Sequence, residues 1–175
     1  CRSLVAMMGG QISAESRPGV GSRFTFELPL ARVEGIVDEG VSAEPASIRL
    51  EGRRVLLAED HPINQRVVEL ILAPFGVDLT IAPDGAAALS ILEEERFDLI
   101  LMDMQMPGVD GLAATRTLRA REAAGAAPRT PVLMLSANAM REHREAARAA
   151  GADAHLAKPV TAEALVSAIG ELLGP

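Results

Sequence analysis

From Arg54 onward, short apolar runs alternate with longer amphipathic stretches at a regular spacing. The runs fall at Arg54 to Ala58, Val77 to Ala82, Leu99 to Met102, Val132 to Ser136 and Ala154 to Ala157. Each is nearly continuous in aliphatic residues, the pattern of strands covered on both faces. Between and after them the spacing becomes helical, over Pro62 to Pro74, Gly85 to Glu95, Asp110 to Ala124, Ala139 to Ala150 and Thr161 to Leu173. The punctuation agrees with this reading. Pro62 suits a first helical turn, where its missing N–H costs nothing. Pro83-Asp84-Gly85 is a turn signal, and Gly76 and Gly151 suit helix ends. Strands and helices in strict alternation predict an α/β fold built on a doubly wound parallel sheet.

The first third of the chain is patterned differently. Leu4, Val5, Met7 and Met8 suggest a short helix ending at Gly9-Gly10. Gln11 to Ser16 and Arg23 to Leu28 read as two strands around a Pro/Gly turn, with Phe24, Phe26 and Leu28 on one face. A lone hairpin with one helix is marginal in water, so this unit is expected to lean on something else. Residues 31–52 are rich in Glu, Asp, Gly, Ser, Ala and Pro and read as a linker. The chain starts without Met, inside the helical pattern, as a piece of a longer protein would.

Composition narrows the class. The hydrophobic fraction of 49% rests on aliphatic residues, with no Trp, no Tyr and four Phe. A flavin sandwiched between rings is therefore not expected. The net charge of -7 argues against a nucleic-acid surface, which needs a basic face. One Cys leaves no internal disulfide, and no apolar run approaches the roughly 18 residues of a membrane span. A cytoplasmic location with no membrane contact by this piece is the expectation.

The chemistry gathers at the strand ends. In doubly wound sheets, ligands bind outside the carboxyl ends of the strands. Here those ends carry Glu59-Asp60, Asp103, Ser136 and Lys158-Pro159. Three carboxylates brought together repel one another, and a hard divalent cation such as Mg²⁺ relieves that repulsion through oxygen ligands. A carboxylate beside such an ion can attack a phosphoryl group and form an acyl phosphate. Lys158 can neutralise charge on the transferred group, and Ser136 can donate a hydrogen bond to it. Taken singly, an Asp at a strand end is more often a cap, a Ser after a strand is also usually a cap, and a Lys-Pro pair is usually a solvated loop. Their joint placement at successive strand ends gives the signal its weight. Lys158 is also the single Lys among 17 basic residues, at a position where a compact ammonium suits a phosphoryl oxygen.

The segment from Arg53 to Pro175 resembles a response-regulator receiver domain. The resemblance rests on Val55-Leu56-Leu57-Ala58-Glu59-Asp60, on Leu99 to Pro107, on Asp110-Gly111, on Leu135-Ser136-Ala137, and on Gly151-Ala152-Asp153 with Lys158-Pro159. It implies a flavodoxin-like fold with five parallel strands in the order 2-1-3-4-5. It further implies that Asp103 accepts a phosphoryl group from a phosphohistidine. Glu59, Asp60, Asp103 and the backbone carbonyl of Gln105 would hold Mg²⁺. Ser136 and Lys158 would contact the phosphoryl group, and the Lys158–Pro159 peptide would be cis.

One departure from the family pattern stands out. His155 occupies the position, three before the lysine, where the family commonly carries Tyr or Phe. A rotameric switch coupled to Ser136 is the functional reading, and a plain surface histidine is the alternative. His61 is expected to cap the helix starting at Pro62, because imidazole adds little to an all-oxygen Mg²⁺ site. His143 is expected to be solvated. Gln105 and Asn138 flank the site and are expected to tune hydrolysis.

Residues 1–30 resemble the end of a histidine-kinase ATPase domain. Met8-Gly9-Gly10-Gln11-Ile12, Ser16 to Ser22 and Phe24 to Pro29 carry that likeness. The nucleotide-binding boxes of that family would lie upstream, so ATP binding by this piece is not expected. Gly19 and Gly21 sit in a hairpin turn and do not open a helix, so they form no phosphate loop.

The order of the two segments implies a hybrid sensor kinase. Two functions follow as expectations. In the first, Asp103 takes a phosphoryl group from the phosphohistidine of its own kinase and passes it to a histidine phosphotransfer protein or to water. In the second, the domain docks on its kinase core through residues 139–173 and inhibits it. A second copy of the chain is a further expected partner. An aspartyl-nucleophile hydrolase is disfavoured, because Gln105 stands where a second Asp would be needed.

Overall fold

Successive residues of a strand point to opposite faces, so a nearly continuous apolar strand must be covered twice. The computed structural model, which describes residues 5–6, 9–17, 19, 21–29, 50–125, 128–137 and 140–174, shows how this is met. The chain forms two compact units, Cys1–Ala43 and Glu44–Pro175.

In the larger unit the elements are β3 (Arg54–Ala58), α1 (Pro62–Leu72), β4 (Asp78–Ala82), α2 (Gly85–Glu94), β5 (Leu99–Asp103), α3 (Gly111–Ala123), β6 (Val132–Ser136), α4 (Arg141–Ala150), β7 (Ala154–Ala157) and α5 (Ala162–Leu173). The five strands pair in parallel in the order β4-β3-β5-β6-β7, which is 2-1-3-4-5 counted within the unit. Helix α1 tightens into a 3-10 turn over Ala73–Phe75 before Gly76 takes a left-handed conformation. Ala139, expected to start α4, lies outside the described residues.

Two apolar layers sandwich the sheet. Leu56, Ala58, Ile100, Met102 and Met134 pack with Leu92, Ala114, Leu118 and Ala147 on one face. Val55, Leu57, Leu99, Leu101, Leu133 and Leu135 pack with Val68, Leu72, Leu165 and Ile169 on the other. Leu50 joins this second layer at 2% exposure, so the packed body reaches back into the stretch read as linker. Burying such a side chain contributes about 2 kcal/mol. Within that stretch, residues 31–49 lie outside the described residues.

Helix starts follow local chemistry. Asp84, Asp110 and Thr161 each accept a hydrogen bond from a backbone N–H of the following turn, from Ala87, Ala113 and Ala164 respectively. Such a cap stabilises a helix by about 1 kcal/mol. His61 does the same for α1, accepting from Ile63 N at 3.3 Å, as expected from its position.

The smaller unit holds a hairpin of β1 (Gln11–Arg17) and β2 (Gly21–Glu27), paired antiparallel from Gln11↔Glu27 to Arg17↔Gly21. Gly10 N donates to the carbonyl of Val5, at the end of the helical residues Val5 and Ala6. Phe24 and Phe26 lie on one face as expected, at 73% and 65% exposure.

Candidate functional site

The carboxyl ends of β3, β5, β6 and β7 converge because their strands are adjacent and in parallel register. Glu59 and Asp60 follow β3, Asp103 ends β5, Ser136 ends β6, and Lys158 follows β7. Backbone bonds continue the ladder into the loops. Met104 N donates to Leu135 O at 2.8 Å, and Lys158 N donates to Ser136 O at 2.7 Å. The peptide between Lys158 and Pro159 is cis.

The loop after Asp103 returns closely on the site. Gly111 N donates to Met104 O at 3.1 Å, and a Cβ at Gly111 would stand 2.0 Å from the carbonyl oxygen of Asp103. Only a glycine permits that approach, which accounts for the Asp110-Gly111 pair. Asp110 caps the helix and Gly111 lets its first turn sit against the end of β5.

Lys158 sits between two acids. Its Nζ is 2.7 Å from Glu59 Oε2 and 2.9 Å from Asp103 Oδ2. Glu59 is 1% exposed and Asp103 5%, while Asp60 is exposed. Ligand atoms of Glu59, Asp60 and Asp103 lie within 4.8 Å of one another. At that separation each pair repels by about 3.5 kcal/mol at an effective dielectric near 20. Formally, three negative charges face one positive charge, leaving -2. Hard oxygen donors with a twofold negative excess fit a hard divalent cation.

The protonation behaviour is consistent with this crowding. Burial pushes the Asp103 carboxyl up and the Glu59 charge adds to it, against the Lys158 hydrogen bond. Burial alone would lower the Lys158 ammonium, yet its hydrogen bonds and charge interactions with Glu59 and Asp103 outweigh it and hold it above its usual value. Gln105 N lies 3.5 Å from Asp103 Oδ1, a long contact. Gln105 is exposed and lines a cleft of about 630 Å³ together with Asp60, Asp110 and His143.

Ser136 is 1% exposed and its Oγ lies 2.7 Å from His155 Nε2. His155 is half-buried. Its imidazole is pushed below its ordinary value by burial, then by the nearby charges of Arg144 and His143.

His143 departs from expectation. It was expected in water, but it is half-buried on α4, and its Nδ1 is buried without a hydrogen-bond partner. The helix turns this side chain toward the cleft, and spacing alone does not show that. Asn138 lies outside the described residues. Asn64 did not emerge from the sequence as a site residue. Its Nδ2 donates to Glu59 Oε1 at 2.9 Å, and its position in the first turn of α1 was the available signal.

An acidic pair, a buried aspartate and a lysine at the carboxyl edge of a doubly wound sheet define a phosphoryl- or metal-handling class of site. Comparison with known proteins gives the family. Residues 55–170 match the response regulator receiver domain, and the chain belongs to that family. It is 32% identical over 172 residues to the sensor protein EvgS of Escherichia coli K12, covering 98% of this chain and 14% of EvgS. The chain thus spans a small part of the length of that relative.

Solved structures agree. The receiver domain of sensor histidine kinase PA1611 from Pseudomonas aeruginosa, with a magnesium ion coordinated in its active site cleft, is 39% identical with a TM-score of 0.64. That match covers 71% of this chain and 99% of the other. The receiver domain of Ssk1 from Saccharomyces cerevisiae, in complex with the histidine phosphotransfer protein Ypd1, is 27% identical with a TM-score of 0.66. It covers 70% of this chain and 90% of that one.

Proposed function

We propose that this chain is a phosphoacceptor module of a hybrid sensor kinase, with Asp103 as the acceptor and Mg²⁺ as its cofactor. The observation that carries this reading is Lys158 lodged between the buried Glu59 and Asp103, with Asp60 at the rim and a formal excess of two negative charges. Glu59, Asp60, Asp103 and the Gln105 carbonyl would hold the cation. When bound, it supplies charge neutralisation on the transferring group.

Asp103 then has the nucleophile's part. One carboxylate oxygen attacks phosphorus, the new P–O bond forms as the P–N bond of a phosphohistidine breaks, and the imidazole nitrogen leaves with its electron pair. Lys158 Nζ, 2.9 Å from Asp103 Oδ2, is placed to meet the oxygens of the incoming group. Ser136 supplies a hydroxyl from the neighbouring strand end, and His155 holds that hydroxyl in the structure described. We read the Ser136–His155 pair as the switch: drawing Ser136 toward a phosphoryl oxygen breaks its bond to His155 and frees the imidazole on β7.

The donor is the phosphohistidine of the protein's own kinase domain, and the onward acceptor is a histidine phosphotransfer protein. The likeness to EvgS and to the Ssk1 receiver in its Ypd1 complex supports both. Residues 1–30 are the end of the kinase ATPase domain, 31–52 the linker and 53–175 the receiver; the 98% coverage in the alignment with EvgS supports that order. Phosphotransfer from a kinase places the domain on the cytoplasmic side. Among the described residues no helix is long and apolar enough to cross a membrane.

Incubation with acetyl phosphate tests the reading. One phosphoryl group is expected by intact mass, lost when EDTA is added beforehand and absent from Asp103→Asn. A phosphoryl group acquired equally by Asp103→Asn overturns the assignment.

A further inference from the structure

Glu59 is the most deeply buried acid of the site, at 1% exposure, and both its oxygens are engaged. Oε2 accepts from Lys158 Nζ at 2.7 Å. Oε1 accepts from Asn64 Nδ2 at 2.9 Å and from the backbone N–H of His61 at 3.2 Å. A carboxylate oxygen offers about two lone-pair sites, so two N–H donors fill Oε1 while one remains on Oε2. We propose that Asn64 is a positioning residue for the divalent cation: it occupies Oε1 and leaves Oε2 as the one oxygen of Glu59 able to face the cation or a water bound to it.

This inference rests on the reading of the acidic cluster as an Mg²⁺ site. Its consequence is that Lys158 and the cation share a single oxygen of Glu59, while Asn64 prevents the carboxylate from rotating to offer the other. Asn64 can do this because α1 starts only three residues after Glu59, with Pro62 at its first position and His61 as its cap. The same turn holds Glu59 a second time, through Gln65 Nε2 to the backbone carbonyl of Glu59 at 2.7 Å. That second bond ties helix to strand without touching the carboxylate, and it supplies a control.

Mg²⁺ affinity is measured by calorimetry on the full chain, with thermal unfolding of each protein alongside. Asn64→Ala, and Asn64→Leu as a variant of similar size without the donor, are expected to bind Mg²⁺ about tenfold more weakly, the usual cost of losing an outer partner of a metal ligand. Gln65→Ala is expected to lower the unfolding temperature yet keep Mg²⁺ affinity within about twofold. Equal affinity in wild type and both Asn64 variants overturns the proposal. So does an equal loss in Gln65→Ala, which would mean that anchoring the helix is all that matters. Absence of Mg²⁺ binding by the wild-type chain would instead overturn the reading of the site itself.

Discussion

Ser136 and His155, on adjacent strands, are joined by a 2.7 Å hydrogen bond between Oγ and Nε2. His155 lies two residues before Ala157, the partner that Ser136 faces across β6 and β7, and so on the same face of the sheet, diagonal to Ser136; Met134 is its own partner. The side chain that contacts phosphate in the proposed chemistry is thus already coupled to an imidazole on the last strand. Because burial lowers the imidazole's pKa, the bond is made with a neutral ring at neutral pH.

A pH dependence follows from that direction of shift. The folded pKa lies below the ordinary 6.5, so the unfolded chain binds the proton more readily. The contribution to stability is complete above about 6.5 and is lost as pH falls through the folded value. Urea unfolding of wild type and His155→Gln between neutral and mildly acidic pH checks this. The wild type should lose more stability over that window than the variant, and equal losses would dissociate His155 from the effect.

Asp103→Asn should stabilise the fold by about 1 kcal/mol, in the range usual when an active site's strained charge is removed. The Asp103 pKa is raised, so its contribution is favourable only below its ordinary value and is lost as pH rises through the folded one. At neutral pH the ionised group is therefore a cost that Asn does not bear. A lower midpoint of denaturation for the variant, without Mg²⁺, would contradict this.

Lys158→Ala should have the opposite effect. It strands Glu59, at 1% exposure, beside Asp103 without their shared cation, and loss of one partner of a buried pair costs about 3 kcal/mol. The domain should still take up a phosphoryl group at Asp103 while onward transfer fails. Unchanged transfer to a phosphotransfer protein would show that Lys158 does not couple the modification to its outcome.

A second ionic network lies at the opposite end of the sheet and should separate stability from chemistry. Arg119 binds Glu122 at 2.5 Å, Asp153 at 2.6 Å and the carbonyls of Thr130 and Gly151, with a side chain only 13% exposed. Asp153 also pairs with Arg129 and accepts from Val132 N at 2.9 Å. Arg119→Ala should destabilise by about 3 kcal/mol. Phosphorylation of the folded fraction should be unchanged, as measured by uptake at saturating acetyl phosphate.

Much of this was legible in the sequence, for a physical reason. Doubly covered strands must be apolar throughout, so Leu99 to Met102 and Val132 to Ser136 declare themselves without tertiary information. The site was legible because strand ends in such a sheet share an edge, which brings Glu59, Asp60, Asp103, Ser136 and Lys158 together from distant positions. What escaped depends on side-chain direction. Leu50 lies within a polar stretch, and its place in the core is set by the turn to Gly76, where Gly52 N donates to Gly76 O. His143 falls among Arg and Glu residues that read as solvated, while the helix turns it inward. Asn64 looks like any polar residue of a first helical turn, and its bond to Glu59 emerges only from the angle between β3 and α1.

If Asp103 is the acceptor, the phosphoryl group must map to that residue and to no other. After phosphorylation with acetyl phosphate and Mg²⁺, borohydride reduction converts an aspartyl phosphate to homoserine, which peptide mass spectrometry locates. Homoserine at position 103, and at no other acid of the site, is the predicted result. Homoserine at Asp60, 5-hydroxynorvaline (the product of a reduced glutamyl phosphate) at Glu59, or phosphate held on a hydroxyl or imidazole that borohydride leaves untouched would rule out Asp103 as the acceptor.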